Sequence, residues 1–293
     1  LSSLPKITFK PSPASSSSRT IATSTSTTRA NGADQVDWTK VASSVGIAAV
    51  AVVGLNLALN RETRDALSVA ESSYLNETFR WTGGGLLITA ITAKLLHGNG
   101  TALRIMQLNP WVAMGVGLVA SIGSMMGVYY TEPDSPAHYA CWALFSATQG
   151  VTLSPMFFLN PAILSRAGLY TVGALGGLCY VGATAESEKF LYIGGPLLAG
   201  LGVLLVTSLA PMIMPRMAMR TMTVLENVSA YGGVALFSAF ILYDTQKILK
   251  HAKMAEMGIM KRDPIRESVS LILDAINLFV RIVQVLMLQQ RRK

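Results

Sequence analysis

The sequence predicts an all-α polytopic membrane protein, and three observations carry that reading. Hydrophobic residues make up 51% of the 293 residues and charged residues only 14%, against roughly 25% charged in an ordinary soluble domain. The mean hydropathy is +0.43. The charges are also bunched, leaving apolar stretches between them of about 20 residues, the length that crosses ~30 Å of hydrocarbon as a helix. This pattern excludes a soluble globular enzyme, a disordered scaffold and a zinc-finger or nucleic-acid module. The net charge of +8 is that of basic loops beside anionic headgroups.

The first element is a leader over residues 1–40. Its first 33 residues hold nine Ser, six Thr and the four basic residues Lys6, Lys10, Arg19 and Arg29, with Asp34 the first acid. Basic, hydroxyl-rich and acid-free, with no apolar core after the early charges, is the composition of an organellar transit peptide and not of a secretory signal. A Ser/Thr-rich linker would have a similar composition. The leader is read as transit-like and unstructured, with the mitochondrion as its destination.

Eight spans follow. Val41–Leu59 is an extra N-terminal span, separated by the charged stretch 60–77 from seven more: Arg80–Leu96, Pro110–Tyr130, Pro136–Leu159, Pro161–Ala185, Phe190–Met214, Val228–Leu249 and Ile265–Leu288. The linkers are short and carry turn residues, such as Asn109-Pro110, Thr131 to Asp134 and Asn160-Pro161. Residues 80–288 form one membrane domain, and 289–293 are a basic tail. The loops divide their basic residues ten against nine, too evenly for the positive-inside rule to choose an orientation. Cys141 and Cys179 lie far apart in apolar stretches, and His97, His138 and His251 sit at different span ends, so neither set reads as a metal site.

Polar residues inside a span are costly and mark functional positions. In the last helix Glu267, Ser270, Asp274, Asn277, Arg281 and Gln284 recur at steps of three and four, on one stripe of an otherwise apolar segment. A helix lying on the membrane surface would show a broad charged face. A narrow stripe suits a helix buried among others and facing a wet cavity.

The preceding span ends in Tyr243-Asp244-Thr245-Gln246. With the two helices antiparallel, Asp244 lies about 8 Å before the connecting loop and Asp274 about 14 Å beyond it, at ~1.5 Å rise per residue. The two carboxyls are then expected to meet. Two carboxylates in a low-dielectric site cannot both ionise cheaply, so such a pair shares a proton. On releasing it the pair can take up a hard cation such as Ca²⁺. The plainer alternative is that each Asp satisfies a helix end or a buried Arg. An intramembrane aspartyl protease would need Gly-x-Gly-Asp at the second Asp, and this chain has Leu271-Ile272-Leu273-Asp274. No enzyme activity is expected.

Phe240 to Gln246 followed by Leu273 to Phe279, with Asn160 to Leu164 and Leu191 to Gly195 upstream, resembles the Bax inhibitor (transmembrane Bax inhibitor motif) family. The likeness runs from about Arg80 to Leu288. The leader and extra span resemble its mitochondrial branch. The resemblance implies a seven-helix bundle with the last helix central, plus the one extra N-terminal transmembrane helix. It also implies that Asp244 and Asp274 are a pH-sensing pair gating Ca²⁺, with Tyr243, Gln246, Asn277 and Arg281 as supporting polar residues. No bound cofactor is implied, only transported Ca²⁺ and H⁺. For the mitochondrial branch it implies a multi-pass inner-membrane protein of Ca²⁺/H⁺ exchange, cristae organisation and apoptosis control, with cytochrome c or inner-membrane complexes as partners. Some bacterial members carry an Arg at the end of the second core helix that pairs with the aspartates. Here that helix ends Val128-Tyr129-Tyr130-Thr131, and Arg281 on the stripe is the substitute the pattern offers. A non-transporting scaffold that organises the inner membrane is the second class of function compatible with the chain.

Overall fold

The computed structural model describes residues 67–291, apart from 187 and 214–218; the leader and the extra N-terminal span lie outside the described residues. Among the described residues the structure is helical throughout, with no strand. The helices are α1 (Val69–Gly98), a short α2 (Thr101–Gln107), α3 (Pro110–Tyr130), α4 (Pro136–Leu153), α5 (Pro161–Thr184), α6 (Gly194–Ile213), a short α7 (Met219–Asn227), α8 (Gly233–Glu256) and α9 (Pro264–Arg291). A 3₁₀ segment Ser154–Phe158 follows α4, where Pro155 ends the α-helical ladder. A π turn Val228–Gly232 joins α7 to α8, making one helical run from Met219 to Glu256.

The helix starts follow from local sequence. Four long helices open on a short polar residue followed by proline. Asn109 accepts from Trp111 N–H at 3.0 Å, Ser135 from His138 N–H at 3.2 Å, Asn160 from Ala162 N–H at 2.9 Å and Asp263 from Arg266 N–H at 2.9 Å. Each side chain satisfies an orphan amide, and the proline at the first helical position needs none. The first helix begins at Val69, about three turns before the apolar stretch at Arg80, because Ser68 and Glu71 form a reciprocal capping box. Gly258, at φ 72°, turns the chain out of α8 towards α9.

Among the described residues, five helical segments are by length and composition apolar enough to cross a membrane, 110–130, 161–184, 191–210, 221–256 and 264–291. Of the remaining long helices, α1 carries Thr78, Thr82 and Thr89 along its buried face, where each hydroxyl bonds back to its own helix at 2.9 Å. This is a polytopic helical membrane protein. Its outer helices show apolar surface to the bilayer: Val116, Val119 and Ile122 on α3, and Leu198, Val203 and Val206 on α6, are all exposed. With no water in the hydrocarbon, only segments whose backbone is satisfied internally can stand there.

The last helix is the core. It packs against α1, α3, α4, α5 and α8, and Val269, Leu271, Ile272, Leu278 and Val283 are fully buried on different faces of it. The small residues work as close-approach points. A Cβ at Gly150 would lie 2.6 Å from the Thr89 carbonyl, so α4 meets α1 almost backbone to backbone. At that crossing the Thr89 hydroxyl also donates to the Ser146 carbonyl, at 2.8 Å.

Candidate functional site: a buried carboxyl pair

Helices α8 and α9 run antiparallel from the loop at 257–263, and Asp244 and Asp274 face each other between them. Both residues are 7% exposed, so neither is hydrated as a free carboxylate would be. Their carboxyl groups are near enough to act on each other, and the Ser270 hydroxyl, one turn before Asp274, donates to the Glu267 carbonyl at 3.1 Å. A hydrogen bond between two carboxyls would require a proton on one of them. Oδ2 of Asp274 is buried without a partner. That leaves acceptor capacity open in the middle of the bundle.

The surroundings supply one positive charge. Lys247 lies one turn after Asp244 on the same helix, and its charge acts on both carboxyls. Closer to the loop, His251 Nδ1 lies 2.7 Å from Oε1 of Glu267, which is itself only 5% exposed. His251 is half-buried and reaches the end of the bundle. The order from the interior outward is therefore the carboxyl pair, Ser270 and Lys247, then Glu267 and His251. Tyr129, where the second core helix ends, lies under the Arg266 guanidinium at 4.5 Å.

The structure does not bring the other expected polar residues to the pair, and helix geometry says why. Successive residues turn about 100° around a helix, so Tyr243 and Gln246 point away from Asp244. Tyr243 packs over Gly194, where a Cβ would lie 2.9 Å from its ring. Gln246 ties down the α5–α6 connection, accepting from Phe190 N–H at 2.6 Å and donating to the Glu186 carbonyl at 2.8 Å. Asn277 donates to its own helix at the Leu273 carbonyl, 2.9 Å. Arg281 shares the stripe but stands two turns, about 10 Å, from Asp274. It bonds to Ser208, Ser229 and Gln284. The cation beside the pair is Lys247, not Arg281.

Three residues of the neighbourhood were not singled out from sequence: Lys247, His251 and His138. The signal for His251 was present. It stands seven residues after Asp244, and Glu267 seven before Asp274, so the antiparallel register that joins the aspartates also joins this pair. His138 is wholly buried, with Nδ1 3.0 Å from Thr131 Oγ1 and Nε2 3.1 Å from Asp263 Oδ1, and it fastens α4 to the start of α9. No local pattern marks it. Among the described residues no group of three or more His, Cys, Asp or Glu is placed to hold a metal ion. A pair of carboxyls offers at most four of the six to eight oxygens that Ca²⁺ takes, so a cation visiting the pair would keep much of its water.

A central helix carrying one half of a buried carboxyl pair, with the other half on its antiparallel neighbour, defines a polytopic helical bundle built around two acidic residues. The family model described as "Inhibitor of apoptosis-promoting Bax1" matches residues 71–292, and the chain belongs to that family. It is 35% identical to growth hormone-inducible transmembrane protein of Rattus norvegicus over 223 residues, 75% of this chain and 64% of that protein. The chain thus spans less than two thirds of that relative's length. It is 26% identical over 197 residues to Bax inhibitor 1 of Drosophila melanogaster, covering 64% of this chain and 76% of that protein. With Bax inhibitor 1 of Schizosaccharomyces pombe the figures are 27% over 216 residues, 73% and 76%.

Proposed function

We propose that the protein is a pH-dependent Ca²⁺ pathway, a channel or Ca²⁺/H⁺ exchanger, of the mitochondrial inner membrane, in which Asp244 and Asp274 exchange a shared proton for a cation. The observation that carries this reading is the pair itself: two neighbouring buried carboxyls in a membrane bundle, one of them with an unpartnered buried oxygen. Intramembrane acids are expensive, and they mark ion and proton pathways. Protonated, the pair is neutral apart from one charge, which Lys247 offsets. Deprotonated, it carries two charges that repel, and a divalent cation neutralises them. Towards the loop side, Glu267 and His251 stand next, 2.7 Å apart.

The mitochondrial assignment rests on the acid-free leader of the sequence and on the likeness to growth hormone-inducible transmembrane protein. Cristae organisation and apoptosis control, with cytochrome c or inner-membrane complexes as partners, belong to the same reading. The test is Ca²⁺ flux into proteoliposomes at two pH values, wild type beside Asp274→Asn. Flux that rises with pH in wild type and is flat in the variant supports the pathway. Equal, pH-dependent flux in both would remove the pair from the mechanism and leave the scaffold reading.

A further inference from the structure

Beyond Asp274, towards the far end of α9, lies a second polar centre that the carboxyl pair does not use. Arg281 Nη1 donates to Ser229 Oγ at 2.6 Å and to Gln284 Oε1 at 2.9 Å, and Nη2 donates to Ser208 Oγ at 3.2 Å. Its Nε is buried with no partner. All three partners are neutral oxygens. A guanidinium does not give up its charge, and a charge drawn out of water without a counter-ion is costly. The fold nevertheless builds a place for it.

Two local irregularities make that place. The helical run 219–256 passes through its π turn at Val228–Gly232, which sets Ser229 against the guanidinium. Single π turns inside α-helices occur frequently at functional sites. Gly233 comes next, and a Cβ there would lie 2.6 Å from Arg281 Cδ and 2.7 Å from Cγ. The arginine therefore crosses bare backbone. The Ser208 and Ser229 hydroxyls also lie 3.1 Å apart, so they and the guanidinium form one cluster.

These groups line a cavity of about 250 Å³, with the exposed Glu226–Arg291 pair, 3.5 Å apart, also in its wall. The volume is just below the ~300–1,000 Å³ of pockets that enclose drug-sized molecules, and it suits a small anionic group. We infer that this cavity binds a phosphate-class anion, with Arg281 as counter-charge and the Ser208 and Ser229 hydroxyls donating to its oxygens. Arg291 offsets the carboxylate of Glu226 in the same wall. The anion is either the headgroup of a membrane lipid or free phosphate. The site is independent of the Ca²⁺ reading.

The test uses the full chain in uncharged detergent at constant ionic strength, with thermal melting as the readout. The probes are inorganic phosphate, dihexanoyl phosphatidic acid and, as the neutral control, dihexanoylglycerol. Wild type is expected to melt at a higher, saturating temperature with a phosphate-bearing probe and not with the control. A response to phosphatidic acid alone assigns a lipid headgroup, and an equal response to inorganic phosphate assigns the free anion. Arg281→Gln should raise the required probe concentration at least about tenfold, the loss of one charge-assisted contact. It removes a half-buried charge whose hydrogen-bond partners are all neutral, so it is expected to fold. Ser208→Ala/Ser229→Ala keeps the charge and should weaken binding several-fold, which keeps the test decisive if the arginine variant melts poorly. The inference is overturned by the absence of a saturable shift with either phosphate probe. It is equally overturned if the Ser208→Ala/Ser229→Ala variant titrates as wild type does.

Discussion

His251 Nδ1 stands 2.7 Å from Glu267 Oε1, in the same antiparallel register that sets Asp244 against Asp274. Both members of the outer pair lie seven residues nearer the loop, about 10 Å along the helices. Glu267 is 5% exposed and His251 is half-buried, so the outer pair spans from interior to rim. Glu267→Gln takes away the acceptor charge. The bond it weakens is of the kind worth about 1.5–3 kcal/mol, which should appear as a lower melting temperature in detergent. In proteoliposomes the same variant should slow Ca²⁺ flux while its dependence on pH persists, because the aspartates are intact. A variant with unchanged melting and unchanged flux would make the outer pair incidental.

His138 has both ring nitrogens engaged, with Thr131 at 3.0 Å and Asp263 at 3.1 Å, and it is fully buried. Asp263 also caps α9 through Arg266 N–H, so one carboxylate serves two elements. His138→Phe fills the space but takes one partner from Asp263, which keeps the Arg266 N–H, and one from Thr131, which keeps the Gly127 carbonyl, at about 0.5–1.5 kcal/mol for each lost bond. Its melting temperature should fall well below that of wild type. Asp263→Ala should be comparably severe, since it removes the cap and the histidine partner together. Melting within a degree of wild type for both variants would show that α4 is held to α9 by apolar packing alone.

Five of the spans were legible because hydrocarbon imposes its own length on apolar runs, and the proline-led caps marked where several helices begin; the helices over 80–96 and 136–153 are less apolar, and 41–59 lies outside the described residues. The meeting of Asp244 and Asp274 followed from rise per residue across a short loop. What periodicity does not reveal is which neighbour a stripe faces at each level. The stripe from Glu267 to Gln284 reads as one feature, yet the fold divides it into an outer His251 pair, a carboxyl centre and the Arg281 cavity. The division depends on a π turn and on Gly233, and neither announces itself: a π turn adds one residue to a helix of unbroken apolar character. Lys247 was hidden for a different reason. Near the end of a span a lysine reads as a loop charge, and only the tertiary pairing turns it towards the aspartates.

If the aspartates hold one proton between them, they act as a unit. Asp244→Asn and Asp274→Asn should each flatten the pH dependence of Ca²⁺ flux. The double variant should then be little worse than either single one, because groups in contact do not contribute independently. Effects that simply add in the double variant would mean two separate roles, and undiminished pH-dependent flux would make the pair structural.

Lys247 tests the electrostatics without touching either carboxyl. Its positive charge acts on both Asp244 and Asp274 and favours the form of the pair that has lost its proton. Lys247→Gln keeps much of the length and removes the charge. The deprotonated pair then faces its own repulsion unaided, so the proton is held more tightly and a higher pH is needed to release it. The midpoint of the rise in flux with pH should therefore move upward. High salt should mimic the change only weakly, because a half-buried charge is screened little by ions. A midpoint that stays in place, with flux amplitude unchanged, would mean that Lys247 is neutralised elsewhere, and the proton on the pair would then be governed by burial and mutual repulsion alone.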